Sequence, residues 1–303
     1  MDTLLKETLW SEKYRPTKIQ DCILPQSMKD LFLNIVARNE LPNLLLTGAS
    51  GLGKTTVAKA LCEEMGLEVL FINASEDNGI DLLRTTIRDF GSTVSMDGVR
   101  KVIILDEADN MSHQLQQGLR GAMQDFSKSC NFILTCNYKN KIIPAIQSRT
   151  THIEFKFEGS ESQQIASKFF KRVTEILDTE GVKYDKKVVA EFIKGYFPDF
   201  RRTLDELKRN VIQNGNWSVD IGILSKTEDV MVASLLENLK NKNFQLCRQW
   251  IVDNADIEPI VVLRYLYDNM VPLVKDPASL ILILAESQKH LPWVADVELH
   301  LAA

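Results

Sequence analysis

The sequence has no CxxC pair, no internal repeat and no low-complexity tract, and no apolar run approaches the roughly 20 residues that span a bilayer. Each absence removes a class of protein. The cysteines, Cys22, Cys62, Cys130, Cys136 and Cys247, are scattered and odd in number, which is the usage of reduced thiols rather than of a disulfide frame or a zinc site. The longest apolar stretch near the end, Leu280 to Ala285, is too short for a membrane and predicts a helix buried on most sides. Met1 to Lys6 shows no apolar segment behind a basic cluster, so no secretory leader is expected and the chain reads as soluble and cytoplasmic, with no membrane partner. A formal charge of -5 excludes a general nucleic-acid coat and confines any phosphate-binding surface to a local stripe. What remains, 303 residues with 45% hydrophobic and 25% charged side chains, is a globular chain long enough for two or three domains.

Gly48-Ala49-Ser50-Gly51-Leu52-Gly53-Lys54-Thr55 stands between the apolar run Leu44-Leu45-Leu46 and Val57-Ala58-Lys59-Ala60-Leu61. A Gly-rich turn between a buried strand and a helix is the setting of a phosphate-binding loop, and it predicts binding of a nucleoside triphosphate. Gly48, Ser50, Gly51, Leu52, Gly53, Lys54, Thr55 and Thr56 are the candidate contacts. Backbone N–H groups there curl around the β- and γ-phosphates, Lys54 adds positive charge, and Thr55 offers its hydroxyl to Mg2+. Val102-Ile103-Ile104-Leu105 then runs into Asp106-Glu107-Ala108-Asp109, a strand that delivers carboxylates to the edge of a parallel sheet. Asp106 is read as a holder of the Mg2+ shell. Glu107, one residue on and pointing elsewhere, is read as the group that orients or deprotonates a water attacking the γ-phosphate. Without the phosphate loop, the same box would read as an acidic strand end in solvent.

Apolar runs at Leu44, Val69, Val102 and Phe132, with Thr151-His152-Ile153-Glu154-Phe155, predict five strands alternating with helices, a parallel sheet covered on both faces. Ile80 to Phe90 predicts one of those helices, with Ile80, Leu83, Ile87 and Phe90 on a single face. After the polar break Glu158-Gly159-Ser160 the periodicity is helical to the end, interrupted at Asn214-Gly215-Asn216 and Ser225-Lys226-Thr227. The expected division is 1–157 for the nucleotide-binding domain, 158–224 for a small helical lid and 225–303 for a helical bundle. The bundle's last segment stays apolar through Trp293, Val294, Leu299 and Leu301, which predicts burial against another subunit.

Several blocks together carry a resemblance. Leu9-Trp10-Ser11-Glu12-Lys13-Tyr14-Arg15-Pro16, the phosphate loop, the Asp106–Asp109 box, Thr135-Cys136-Asn137-Tyr138 and Gln147-Ser148-Arg149 resemble, in this order, the AAA+ clamp-loader ATPases. That family includes the replication factor C small subunits and the ATPase subunits of T-even-type phage loaders. Phe197 to Leu204 and Glu298 to Leu301 look more like the phage members. The resemblance implies an α/β fold: an AAA+ P-loop NTPase domain on a parallel five-stranded sheet, a helical lid and a C-terminal helical collar. It implies ATP and Mg2+ as ligands, and as partners other loader subunits in a pentamer of several copies plus a different subunit, a sliding clamp and primer-template DNA. For a viral chain the compartment would be the host cytoplasm.

By the same resemblance Asn137 is the first sensor of the γ-phosphate or attacking water. Arg149 is an arginine finger for the neighbouring subunit's site, and Arg201 a second sensor in the lid with Arg202 as its substitute. Tyr14, Arg15, Pro16 and Ile23 lie near the adenine ring. Thr150 stands where replication factor C relatives carry a cysteine, which leaves Arg149 untouched. Arg84 and Arg88, four apart, could reach one phosphate strand, although a solvated face paired with Asp81 and Asp89 has the same spacing. The family's DNA-facing position is that of Arg84. Gln116 and Arg120 match the region that links DNA to the catalytic glutamate, and are grouped with the DNA-binding candidates. The rivals are another AAA+ machine on DNA, such as a branch-migration motor or helicase loader, and an ATP-dependent scaffold that does not hydrolyse.

Overall fold

The computed structural model describes residues 9–76, 83–93, 99–157, 159–214, 217–219, 228–254, 259–270, 274, 276–291, 294 and 300. Five parallel strands form one sheet: β1 (Leu44–Gly48), β2 (Glu68–Asn73), β3 (Lys101–Asp106), β4 (Cys130–Cys136) and β5 (Thr151–Phe155), in the order β2-β3-β4-β1-β5. The three central strands are continuous apolar runs because they are covered on both faces, and Leu44, Leu45, Leu46, Ile103, Ile104, Ile133 and Leu134 are all fully buried. The two edge strands carry the polar and exposed positions, such as Glu68 and Thr151.

Helices α1 (Trp10–Lys13), α2 (Gln26–Arg38) and α3 (Lys54–Glu64) precede and follow β1. Phe32 of α2 and Val57 and Leu61 of α3 pack with Leu44, Ile104 and Phe155 on one face of the sheet. Helix α4 (Arg88–Ser92) and α5 (His113–Asp125) serve the other face, where Leu115 and Leu119 meet Leu105, Phe132 and Leu134. The short α6 (Pro144–Gln147) leads into β5. Register pairs Leu46 with Thr135, and Leu105 with Leu134, so the carboxyl ends of β1, β3 and β4 lie side by side. Between β1 and β4 the strand order reverses, which opens the crevice where ligands of such sheets bind.

Three helices complete this unit: α7 (Gly159–Thr179), α8 (Lys186–Tyr196) and α9 (Phe200–Gln213). Ile165, Phe169, Val173 and Ile176 of α7 recur at helical spacing and are buried, as are Phe192 of α8 and Leu207 of α9. The chain divides into two compact units, Met1–Val219 and Asp220–Ala303, so the part expected at 1–157 and residues 158–219 of the next lie in one unit, and the expected boundary at 224 lies outside the described residues. The second unit holds α10 (Glu228–Lys240), α11 (Phe244–Asp253), α12 (Pro259–Met270) and α13 (Pro277–His290), the first three of which pack together on Leu235, Cys247 and Val262.

Two local expectations differ from the structure. The segment ending at Phe90 is a π-helical turn, Leu83–Ile87, running into α4 rather than one regular helix, while residues 77–82 lie outside the description. Leu280–Ala285 is helical within α13, yet only Leu284 is buried, and Leu282 and Ile283 are 69% and 63% exposed. Trp293, Leu299 and Leu301 lie outside the described residues. Among the described residues, no helix is long and apolar enough to cross a membrane.

Candidate nucleotide site

The loop between β1 and α3 starts on the open carboxyl edge of the sheet and ends with Gly53 in the left-handed region, which turns the chain into α3. Lys54 opens that helix and is only 7% exposed. Its Nζ donates to the carbonyls of Gly48 and Ala49 at 2.8 and 2.7 Å and to Asn137 Oδ1 at 2.9 Å. An ammonium has three protons, and these acceptors use all of them. Burial pushes the Lys54 pKa down, helped by the charge of Arg201 and opposed by Cys136, Asp106 and Asp109. The side chain is thus held beside the loop in a place that favours a negative ligand.

Asp106 ends β3 beside it. Its Oδ1 accepts hydrogen bonds from Thr55 Oγ1 and Thr135 Oγ1, both at 2.6 Å. Glu107 follows with φ at 54°, a left-handed residue that turns its carboxylate away from that of Asp106. Its N–H donates to Thr135 Oγ1 at 3.1 Å and its Oε2 accepts from Asn110 Nδ2 at 3.3 Å. Asp109 then fixes the end of β4: its Oδ2 accepts from the backbone N–H groups of Asn137 and Tyr138 at 3.3 Å, while its buried Oδ1 has no partner among the described residues. Thr135 and Asp109 hold the neighbouring groups in place, and motif reasoning gave neither of them a part. The only signal for them was their place inside motifs credited to other residues.

A single pocket is lined by Ser50, Gly51, Leu52, Gly53, Lys54, Thr55 and Thr56 of the loop, by Asp106, Glu107 and Asn137 from the strand ends, and by Arg201. Tyr14, Arg15, Pro16 and Ile23 line the same pocket, with Phe169, Ile176 and Leu204. Gly48 contributes through the carbonyl that accepts from Lys54. Arg201 and Arg202 separate cleanly: Arg201 lines the pocket, while Arg202 lies over the Tyr196 ring at 5.4 Å. The Thr55 hydroxyl and Asp106 carboxylate are hard oxygen donors that touch each other beside Lys54, a set that fits Mg2+ held jointly with phosphate oxygens.

Helix α9 rests on this loop. Phe200 N–H donates to the Gly51 carbonyl at 3.1 Å, and Asp199 caps α9 by accepting from Arg202 N–H at 2.8 Å. The contact between Phe200 and Gly51 was not visible as a motif, because its partners are far apart in sequence.

The remaining candidates lie outside the pocket. Arg149 is exposed after α6, its Nη1 donating to the Ala145 carbonyl at 2.9 Å and to Ser148 Oγ at 3.4 Å. Arg88 and Arg120 are exposed on α4 and α5, and the side chain of Arg84 lies outside the described ones. Gln116 departs from its grouping with the DNA-binding candidates: it is 3% exposed, its Nε2 donates to the carbonyls of Met111 and Lys141, and its Oε1 accepts from Ile143 N–H. A buried amide must satisfy itself locally, and this one does so by tying α5 to the segment after β4, with no surface left for a phosphate strand.

Comparison with known proteins completes the site. Residues 44–158 match the ATPase family associated with various cellular activities (AAA), and residues 161–225 match the AAA+ ATPase lid domain of the sliding-clamp-loader large subunit. The sliding-clamp-loader large subunit of Escherichia phage RB69 is 35% identical over 97% of this chain and 93% of its own length. That of Enterobacteria phage T4 is 34% identical over 98% and 94%. A replication factor C small subunit of Saccharolobus solfataricus is 35% identical over 69% of this chain and 63% of that protein. Among solved structures, a RuvB mutant of Thermotoga maritima aligns with a TM-score of 0.57 at 17% identity over 74% of this chain and 79% of its own, a likeness of fold alone. With its phosphate loop, its carboxylate strand and a full-length match to the phage proteins, the chain belongs to the AAA+ ATPase family of sliding-clamp-loader large subunits.

Proposed function

We propose that this chain is the ATPase subunit of a sliding-clamp loader, in which ATP binding assembles a spiral of subunits that opens a clamp and grips primer-template DNA, and hydrolysis releases the closed clamp. The observation that carries the reading is a division of labour. Lys54, Thr55, Asp106, Glu107, Asn137 and Arg201 meet in one pocket, whereas Arg149, a member of the same set of motifs, stands exposed outside it.

In this reading residues 1–157 bind the nucleotide, 158–224 act as the lid and 225–303 form a collar. Lys54 and the loop amides hold the β- and γ-phosphates, with Arg201 reaching them from the lid. Thr55 and Asp106 would hold Mg2+, which when bound neutralises phosphate charge and keeps the phosphates oriented. Glu107 takes a proton from the attacking water while Asn137 holds the reacting end. Arg149 completes the pocket of a neighbouring subunit, so the assembly persists while the γ-phosphate bridges two chains. Arg84, Arg88 and Arg120 face the DNA backbone, a contact that reads duplex shape rather than base edges. The assembly is a pentamer of several copies of this chain with a different subunit.

The test is Arg149→Ala in the assembled complex. ATP binding is expected to persist while DNA- and clamp-stimulated turnover falls by roughly 10³-fold or more, the scale of other arginine fingers. Unchanged stimulated turnover would remove Arg149 from this role. Processive translocation along DNA by the complex would favour a branch-migration motor instead.

A further inference from the structure

The N-terminal strap, whose Ser11, Tyr14, Arg15 and Pro16 line the pocket, is fastened to the lid rather than to the sheet. Asp205 of α9 accepts from Ser11 twice, from the backbone N–H at 3.3 Å and from Oγ at 2.9 Å. Glu180, just after α7, accepts from Lys13 Nζ at 2.7 Å and from Tyr14 OH at 2.6 Å through the same oxygen. Arg172 of α7 adds an Nη2 donor to the Tyr14 carbonyl at 3.5 Å. Trp10, at the start of the strap, is fully buried.

A few residues later the chain belongs to the sheet. Ile19 N–H donates to Glu64 Oε2 of α3 at 2.7 Å, and Ile19, Cys22 and Leu24 are buried in the core beneath the sheet. Arg15 lies between these two anchorages. Its Nη2 is paired with Glu12, while its buried Nε has no partner among the described residues, and the side chain lines the pocket. With the phosphates at Lys54, the rest of that pocket, where Tyr14, Arg15 and Ile23 are lining residues, is left to the nucleoside.

We propose that Asp205 and Glu180 are positioning residues for nucleotide binding: they hold the strap on the lid, and thereby present the Tyr14 ring and the Arg15 Nε–H donor to the nucleoside. The inference rests on the reading that ATP binds with its phosphates at Lys54. It has a specific consequence, because the clasp acts on the nucleoside half of the ligand and not on the phosphate half. ATP and ADP feel its loss. Inorganic tripolyphosphate, which has no nucleoside, does not.

The experiment measures binding of Mg2+-ATP, ADP and tripolyphosphate to the full chain by calorimetry, for the parent, Asp205→Ala, Asp205→Asn, Glu180→Gln and Ser11→Ala, each checked for an unchanged thermal transition. Losing one or two of these hydrogen bonds is expected to weaken ATP and ADP roughly three- to tenfold and to leave tripolyphosphate unchanged. Asp205→Asn, which keeps one acceptor for Ser11, falls between parent and Asp205→Ala. Equal weakening of ATP and tripolyphosphate would overturn the proposal in favour of general damage to the lid, and unaltered ATP affinity in Asp205→Ala and Glu180→Gln would overturn it outright. Lys54→Ala in the same series separates the two layers: if it leaves ATP and tripolyphosphate affinity intact, the site reading itself fails and the strap with it.

Discussion

Among single residues, the thiols give the most direct physical handle. Burial pushes Cys22, Cys62, Cys130 and Cys136 up to about 12, so each keeps its proton in the folded chain well beyond the pH at which an unfolded thiol loses it. A folded-state pKa above the unfolded one gives stability that is complete below pH ~9 and drains away as pH climbs towards 12. Urea midpoints should therefore hold up to about pH 9 and fall beyond it. Cys62→Ser, in which one such proton is removed from α3 away from the pocket, should fall less steeply, by up to about 1.4 kcal/mol per pH unit. A parallel slope in the two proteins would contradict a protonated, buried thiol at Cys62. Sequence made these cysteines legible as reduced and unpaired, and all are buried and free. It could not reveal that Asp109 fixes Asn137 or that Gln116 turns inward, because which side of a helix or turn meets the interior depends on neighbours distant in the chain.

Among elements, strands were readable from short continuous apolar runs, as in β1, β3 and β4, and helices after residue 158 from their periodicity, as in α7, but less so where tertiary contact alters the backbone, as in the π-helical turn before α4. The docking of α9 on the phosphate loop belongs to the second kind. Gly51 has a φ of +74°, and a Cβ there would lie 1.8 Å from Asp199 Oδ1, whereas at Gly53, with φ at +90°, a Cβ would meet nothing within 4 Å. The loop motif accounts for both glycines alike, but only the first is also a lid contact. Gly51→Ala must strain the backbone and displace Asp199 from its cap on α9, a combined loss of roughly 2–4 kcal/mol, while Gly53→Ala carries the backbone part alone. Urea unfolding of Gly51→Ala, Asp199→Gly and the double mutant checks this. The double mutant should be more stable than the sum of the single losses predicts, because Asp199→Gly removes the clash. Strict additivity would mean that the lid and the loop do not press on each other at Gly51.

For the whole molecule, the second unit poses a problem of surface. Helix α13 carries Ile281, Leu282 and Ile283 in succession, yet its neighbours cover chiefly Leu284, and a helix apolar on several sides is stable in water only when something else covers it. The apolar composition of this segment was plain in the sequence, whereas the face it leaves open is visible only once α10, α11 and α12 have taken their places. In the proposed loader that face belongs to the collar, and its cover is the neighbouring subunits. Leu282→Glu with Ile283→Glu places two charges on it, in the unit that does not hold the nucleotide pocket. The expected outcome is a chain that binds ATP within about twofold of the parent, a difference under ~0.5 kcal/mol. Mass measurement with its co-expressed partners should nevertheless find no complex, with or without a nonhydrolysable ATP analogue. Stimulated turnover should be lost with the complex, since each Arg149 then has no neighbouring pocket to enter. A double mutant that still assembles at the parent's mass would show that subunits join through other surfaces, and that α13 is not the seam of the collar.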